Sequence, residues 1–508
     1  MPSSVSPAVV YASRLTLNNS RELRVESGKN ILILGLLSIV LSMVGCREYT
    51  ISDDPSLRLA FSTDTVRFDT VFTEQGSATA QLMVYNRNAM AVEIDRVWLN
   101  DGSVFIVNMD GEPDLSRLTH MTINGGDSAF VFVRVRMDEL NNNSPVLVED
   151  QLHFRLANGA TQEVVLEAYG QDATRIGRIG CGRTEKEDFT FTAEKPYIIY
   201  DTLVIGGTMH INAGARLYMH SGACIYALGD VDAQGTLEQP ILIRGDRLDR
   251  LFDSVPYLYA GGSWNGIYLQ AKEPHTYVFR YVDILSGNIG LFCNSTCTNP
   301  LPQLTMDGCR IHNHTSYGLV LSHVDALVTN TEISNCASYC VYCEGGTHQF
   351  VHSTIASYFG FTNIRIQSVA KEETAAVYID NLSKTDPQTN TSFLNSIITG
   401  YRTNQLVVAT PFDQFYPGSF VGNYLKTDTL AMPHAAQNTY WQKTDTNAVF
   451  VNDFYKYKEY IYYDFRLDSL SPAIGIGDSL VALPYPADRN GVSRADLIPD
   501  AGCYQHQP

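Results

Sequence analysis

YVDILSGNIGLFC (281–293), GCRIHNHTSYGLVL (308–321), NTEISNCASYCVYC (330–343) and HSTIASYFGFTN (352–363) are four versions of one segment. Ile284, Ile311, Ile333 and Ile355 anchor them at spacings of 27, 22 and 22 residues, and the longer first interval holds the extra loop CNSTCTNPLPQ. In register on those isoleucines, Val282, Cys309, Thr331 and Ser353 share the position two before, and Ser286, Asn313, Asn335 and Ser357 the position two after. With a one-residue gap, Gly290, Gly318, Cys340 and Gly360 align. Leu291, Leu319, Val341 and Phe361 follow, then Cys293, Leu321, Cys343 and Asn363. Short strands punctuated by glycine, repeating every 22 or so residues, read as rungs of a parallel β-helix. One rung cannot bury its apolar side alone, so neighbouring rungs stack and each column becomes a ladder.

The same alignment bears on the clustering of Cys309, His312, His314, Cys336, Cys340 and Cys343, which are zinc-ligand residue types at short spacing. Cys309 and Cys343 fall in columns that otherwise hold aliphatic or small residues, and Cys340 falls in a glycine column, so core packing accounts for them and no metal is expected. Adjacent strands lie about 4.8 Å apart and a disulfide needs Cα atoms within about 7 Å, so Cys293 and Cys343, two rungs apart, should not pair. Cys293 with Cys297, and Cys309 with Cys336, stay open as pairs.

Upstream the texture differs. Runs such as DTVRFDTVF, AFVFVRVRM and EVVLEAYG alternate apolar and polar residues, and turn signals at Asn124-Gly125-Gly126-Asp127 and Asn158-Gly159 separate them. Strands with one buried face over 58–172 suggest an immunoglobulin-like β-sandwich. Before it, Arg14, Arg21, Arg24 and Lys29 precede the apolar run Ile31 to Val44, which ends at Gly45-Cys46. Fourteen residues are short for a span of about 30 Å, and the order of charges, apolar run and small residue reads as a signal peptide. The expected organisation is a signal over 1–46, a tether over 47–57, the sandwich over 58–172, a linker over 173–195, the β-helix over 196–460 and a closing segment over 461–508.

Gly45-Cys46 resembles the lipobox of bacterial lipoproteins, which implies cleavage before Cys46, lipidation of its sulfur and a membrane as partner. The stretch 196–268 resembles the opening of right-handed β-helix lipoproteins of Bacteroidota. The matching residues are Ala213, Gly214, Leu217, Tyr218 and His220, then Ala233, Gly235 and Thr236, then Pro240, Ile241 and Arg244 to Asp249, and Trp264, Gly266 and Ile267. SPAIG (471–475), DRNGVSR (488–494) and PDAGCY (499–504) resemble the end of many secreted β-helix proteins, with Gly475 in place of an aspartate and Cys503 in place of an alanine. Asp-Ser/Thr tripeptides, at Asp64, Asp69 and Asp127 among others, resemble an O-glycosylation motif of exported Bacteroidota proteins. The resemblance implies an all-β chain, sandwich then right-handed parallel β-helix, in a Gram-negative envelope. It implies no particular reaction. The closing segment is expected to cover the last rung.

Chemistry is sought on the outward positions. Asp283, Arg310 and Glu332 immediately precede successive isoleucines, and the two carboxylates would stand about 9.6 Å apart, two strand spacings. Inverting glycosidases separate theirs by about 6.5–9.5 Å, so these residues with His312 as a base form the catalytic candidate of a polysaccharide lyase or glycosidase. An alternating charge ladder on an exposed sheet is the simpler reading. His314 and His323 read as exposed polar residues. Asp246, Arg247, Asp249, Tyr257, Tyr259 and Trp264 form the ligand candidate: rings for stacking on sugars, and carboxylates of the kind calcium takes. Trp264 packed beneath the loop, and ion pairs within it, are the alternative. With 54 acidic and 36 basic residues the chain carries −18, which speaks against nucleic acid as a partner. No phosphate loop, GxSxG elbow or HExxH is present. A glycan-contacting envelope protein without catalysis is therefore the leading expectation.

Overall fold

The structure is a computed structural model that describes residues 50–252, 255–359, 375–380, 389–409, 419–427, 436–437, 439–441, 449–452, 463–495 and 498–507. The alternating runs near the N-terminus form a two-sheet β-sandwich. One sheet orders Thr65–Phe72, Thr161–Gln171, Val146–Leu156, Val92–Trp98 and Met121–Ile123; the other orders Ala60–Phe61, Ala80–Tyr85, Ser128–Val135 and Phe105–Met109. Pairing is antiparallel except for Thr65–Phe72, an edge strand that runs parallel to Thr161–Gln171. Inward residues such as Leu82, Val131, Val133, Phe154 and Leu166 are fully buried, as a period of two requires of a sheet covered on one face.

From Thr174 onward the chain coils as a right-handed parallel β-helix, the hand that right-twisted parallel strands impose on their connections. Each complete coil contributes one strand to each of three parallel sheets, which contain eleven, nine and ten strands among the described residues. They are called here the first, second and third sheets, in the order the chain visits them. On the inner side of the first sheet Ile243, Ile284, Ile311, Ile333, Ile355, Ile398 and Leu425 are consecutive register partners. All are fully buried. Burying each such side chain stabilises the fold by roughly 1.5–3 kcal/mol before chain entropy is counted. The third sheet adds a stacked phenylalanine ladder, Phe350, Phe393 and Phe420, with centroids 5.0 and 5.7 Å apart.

A second column explains how each coil turns into the first sheet. Three positions before each ladder residue from Ile284 onward stand Tyr281, Gly308, Asn330, His352, Asn395 and Gly422, all with φ between 45 and 65°. One left-handed residue bends the chain sharply, and glycine and asparagine tolerate that conformation best.

Three expectations are corrected. Residues 173–195 are no linker: Thr174–Ile176, Arg183–Glu185 and Phe189–Phe191 pair in parallel with Tyr197–Ile199, Thr202–Ile205 and Met209–Asn212, forming the first coil. Its charged, three-residue strands hide the pattern, yet Ile176 and Phe191 reach the core. Next, the partners of Val341 and Cys343 are Val377 and Ile379, so Phe361 and Asn363 do not hold those columns. Extra chain after Phe359, and more between Asp380 and Thr389, makes the interval from Ile355 to Ile398 about twice the repeat. Residues 360–374 lie outside the described residues.

The third correction concerns the closing segment, which lies along the outer face of the first sheet instead of over the last rung. The outward column that begins with Asp283, Arg310 and Glu332 continues as Thr354, Ile397 and Tyr424, so the later coils present an apolar surface that must be covered. Phe450, Phe465, Leu467, Ala473, Ala501, Cys503 and Tyr504 cover it and form a separate core with Ala356, Tyr358, Ile397 and Tyr424. The segment begins before residue 461, because Phe450–Asn452 pairs antiparallel with Asp464–Leu467. It reads the left-handed turn column through side chains. Arg494 donates to Asn330 Oδ1 at 2.9 Å, and Asn395 exchanges two hydrogen bonds with the backbone of Asp478, at 2.7 and 2.9 Å.

Candidate functional site

The catalytic candidates do come together on the first sheet, since Asp283, Arg310 and Glu332 are direct register partners and His312 pairs with Ser334. They are not an exposed ladder. Arg489 of the closing segment donates to Asp283 Oδ1 at 2.6 Å while Arg310 donates to Oδ2 at 2.8 Å, so two guanidinium groups hold one carboxylate. Tyr504 donates to Glu332 Oε2 at 2.6 Å and Ser334 to Oε1 at 2.7 Å. Glu332 is buried and Asp283 largely so, with side chains 6% and 14% exposed, and each of their four oxygens has a partner. Buried charges require such pairing, because an unmet one is expensive.

His312 lies beside Glu332, with Nδ1 2.8 Å from Ser334 Oγ. Since the Ser334 hydroxyl donates to Glu332, it accepts from His312, which puts the imidazole proton on Nδ1. Burial, and then the charge of Arg310, push the His312 pKa down to about 3. An imidazole that weak is a poor general base near neutral pH. A cavity of about 420 Å³ remains between sheet and closing segment, lined by Arg310, His312, Glu332, Tyr259, Arg466 and Tyr504 among others.

His314 corrects the expectation of an exposed residue. Left-handed Asn313 turns it inward, where it is fully buried, accepts from the Gly287 N–H at Nδ1 (3.2 Å) and donates from Nε2 to the Ile284 carbonyl (3.1 Å). His323 is half-buried. Cys309, Cys336, Cys340 and Cys343 belong to the inner core, whereas His312 faces outward, so they cannot share a metal with it. All nine cysteines among the described residues are free thiols. Cys293 and Cys343 sit two rungs apart with Leu321 between them. Among the described residues no three His, Cys, Asp or Glu side chains converge as metal ligands.

The ligand candidates scatter. Asp246 is a domain contact: it accepts from Gln75 of the sandwich at 3.0 Å and lies 2.6 Å from His220 Nδ1. Phe72 of the sandwich meets Tyr218 of the β-helix at 4.9 Å between centroids, alongside that contact. Arg247 pairs with Asp249 at 2.6 Å and lies over the ring of Tyr257, 4.3 Å from its centroid, which leaves Tyr257 buried. Asp246, Arg247 and Asp249 line a cleft of about 880 Å³ between this loop and residues 63–81 of the sandwich. Tyr259 lines the other cavity. Trp264 contradicts a ligand role outright: it is fully buried and donates from Nε1 to the Leu285 carbonyl at 2.9 Å. Cys46 lies outside the described residues.

An outward aromatic column on the second sheet was missed: Tyr226, Tyr268, Phe292, Val320, Tyr342 and Tyr378 are consecutive register partners. The signal was present in the alignment, one position after Leu291, Leu319 and Val341, where Phe292, Val320 and Tyr342 stand.

No family profile matches the chain, and no curated protein is similar to it in sequence. Among solved structures, a family 123 glycoside hydrolase from Clostridium perfringens is 7% identical over 26% of this chain and 30% of that one, with a TM-score of 0.17. The PapD-like domain 7 of human CEP192 is 11% identical over 25% of this chain and 96% of that one, with a TM-score of 0.17. BcpA, the major pilin subunit of Bacillus cereus, is 10% identical over 24% and 43%, with a TM-score of 0.13. The chain thus spans about a third of the hydrolase's length, and at these scores the similarities carry no argument.

Proposed function

We propose that this protein is a lipid-anchored component of a Gram-negative cell envelope, of the Bacteroidota type and on the outer membrane, whose β-helix contacts a glycan or another surface component without catalysis. The sandwich, read as immunoglobulin-like, acts as a spacer between the lipid on Cys46 and the β-helix. The observation that carries the non-catalytic reading is the locking of Asp283 and Glu332 beneath the closing segment, with all four carboxylate oxygens engaged. On this reading the anchor is lipid on Cys46, which the Gly45-Cys46 pair after the apolar run suggests.

The second reading, a polysaccharide lyase or glycoside hydrolase, is favoured by the cavity that has His312, Glu332 and Arg310 on its wall. Incubation of the purified protein with a panel of neutral and acidic glycans separates the two. Retention without new unsaturated or reducing ends supports the first; release that disappears in Glu332→Ala supports the second. The anchor is tested by growing cells with an alkyne-bearing fatty acid: the protein should take up the label and Cys46→Ala should not. An unlabelled protein, or equal labelling of Cys46→Ala, would refute lipid attachment at that sulfur.

A further inference from the structure

The outer face of the second sheet carries two columns side by side. In the aromatic column Tyr226 and Tyr268 stack with centroids 4.8 Å apart, Tyr268 and Phe292 follow at 5.8 Å with a 45° tilt, and Tyr342 and Tyr378 stack at 5.6 Å. Tyr317, from the preceding turn, meets Tyr342 edge-on at 75°, and Tyr339 meets Tyr378 at 35°. Apart from Val320, whose short side chain is buried, every member of the column is half-exposed. Tyr226 with Tyr268 and Tyr342 with Tyr378 each cover one face of the other, so what the column offers an outside partner is its half-exposed outer surface, made of ring edges and the tilted ring of Phe292.

From Tyr268 onward, two residues further along each strand and on the same side of the sheet, Gln270, Asn294, Ser322, Glu344 and Asp380 form the second column in unbroken register. It contains amides, a hydroxyl and carboxylates, and neither column contains a lysine or arginine. The aromatic column crosses five strand spacings, or about 24 Å.

We propose that these paired columns bind a linear, uncharged polysaccharide lying along the β-helix axis, with the C–H faces of its rings on the aromatic column and its hydroxyls on the polar one. This rests on the reading of the protein as a non-catalytic glycan-contacting molecule and names the site and the ligand class. A surface that repeats at each coil fits a polymer that repeats at each ring. Glu344 and Asp380, on a chain of net charge −18, repel uronates and sulfated sugars.

The test is affinity electrophoresis of the full-length protein in detergent through gels containing a soluble β-glucan, a mannan or polygalacturonate. Retardation by a neutral glycan is expected, and Tyr268→Ala with Tyr378→Ala should weaken it about ten-fold or more while the melting temperature holds. If that double variant does not fold, Gln270→Ala with Asn294→Ala is the substitute and should also weaken retention. Retention unchanged in the altered columns overturns this site but leaves glycan contact elsewhere standing. Preference for polygalacturonate overturns the ligand class, and no retention of any glycan overturns both this site and the reading beneath it.

Discussion

The first and second sheets are built from the same coils, share one interior, and carry opposite outer faces. On the first, charges and apolar residues are sealed under the described residues of the closing segment: Asp283 between Arg310 and Arg489, Glu332 under Tyr504, Ile397 and Tyr424 under Phe450 and Phe465. On the second, rings and amides stand half-exposed with no described segment laid across them. A ladder of functional-looking residues on a β-helix is therefore not in itself a site. What matters is whether the chain spends that face on its own closure.

Among substitutions the largest effect should come from breaking the seal. Arg489→Ala leaves the largely buried Asp283 with a single cation and should cost about 2–3 kcal/mol, read as a lower urea midpoint at unchanged slope. An unchanged midpoint would mean the closing segment is not docked as described. Acid should cost more than any one substitution, because several buried groups titrate together. Burial pushes His312, His314 and His352 down to about 3 and His348 to about 4, against 6.5 when exposed. Between those limits the unfolded chain binds more protons than the folded one, so stability is intact above pH 6.5 and falls as pH drops toward 3. The loss approaches about 1.4 kcal/mol per histidine per pH unit. Melting temperature against pH checks this, and His352→Gln should flatten the slope by about one proton.

Tyr504→Phe should cost about 1–2 kcal/mol, because Glu332 Oε2 loses its donor in a buried setting. A neutral outcome would show water reaching that oxygen. The smallest effect belongs to the open face. Tyr378→Ala should change stability by no more than about 1 kcal/mol, the worth of a partly exposed ring pair. A loss as large as that of Arg489→Ala would make the aromatic column structural and erase the contrast between the faces.

Much of the β-helix is legible from Ile284, Ile311, Ile333 and Ile355, because stacking demands like residues at like positions. Legibility ends where the period does. The insertion after Phe359 carries no marker of its length, so Val377 and Ile379 could not be placed, and of the first coil's short strands only Ile176 and Phe191 are fully buried in the core. The pairing of Asp283, Arg310 and Glu332 followed from their column, but their burial did not, since spacing within a repeat says nothing about what a distant segment covers. Ile397 and Tyr424 in that same outward column were the available sign. His314 was misjudged because its direction depends on the left-handed backbone of Asn313. The sandwich and β-helix cores, by contrast, follow from periods of two and about 22 wherever those periods run unbroken.

Hydroxyl-radical footprinting with residue-level mass spectrometry tests the contrast most directly. Tyr226, Tyr268 and Tyr378 should be oxidised readily in the intact protein, while Tyr504 and Phe465, sealed against the first sheet, stay protected until unfolding. Oxidation of Tyr504 at the rate of Tyr268 would contradict the account.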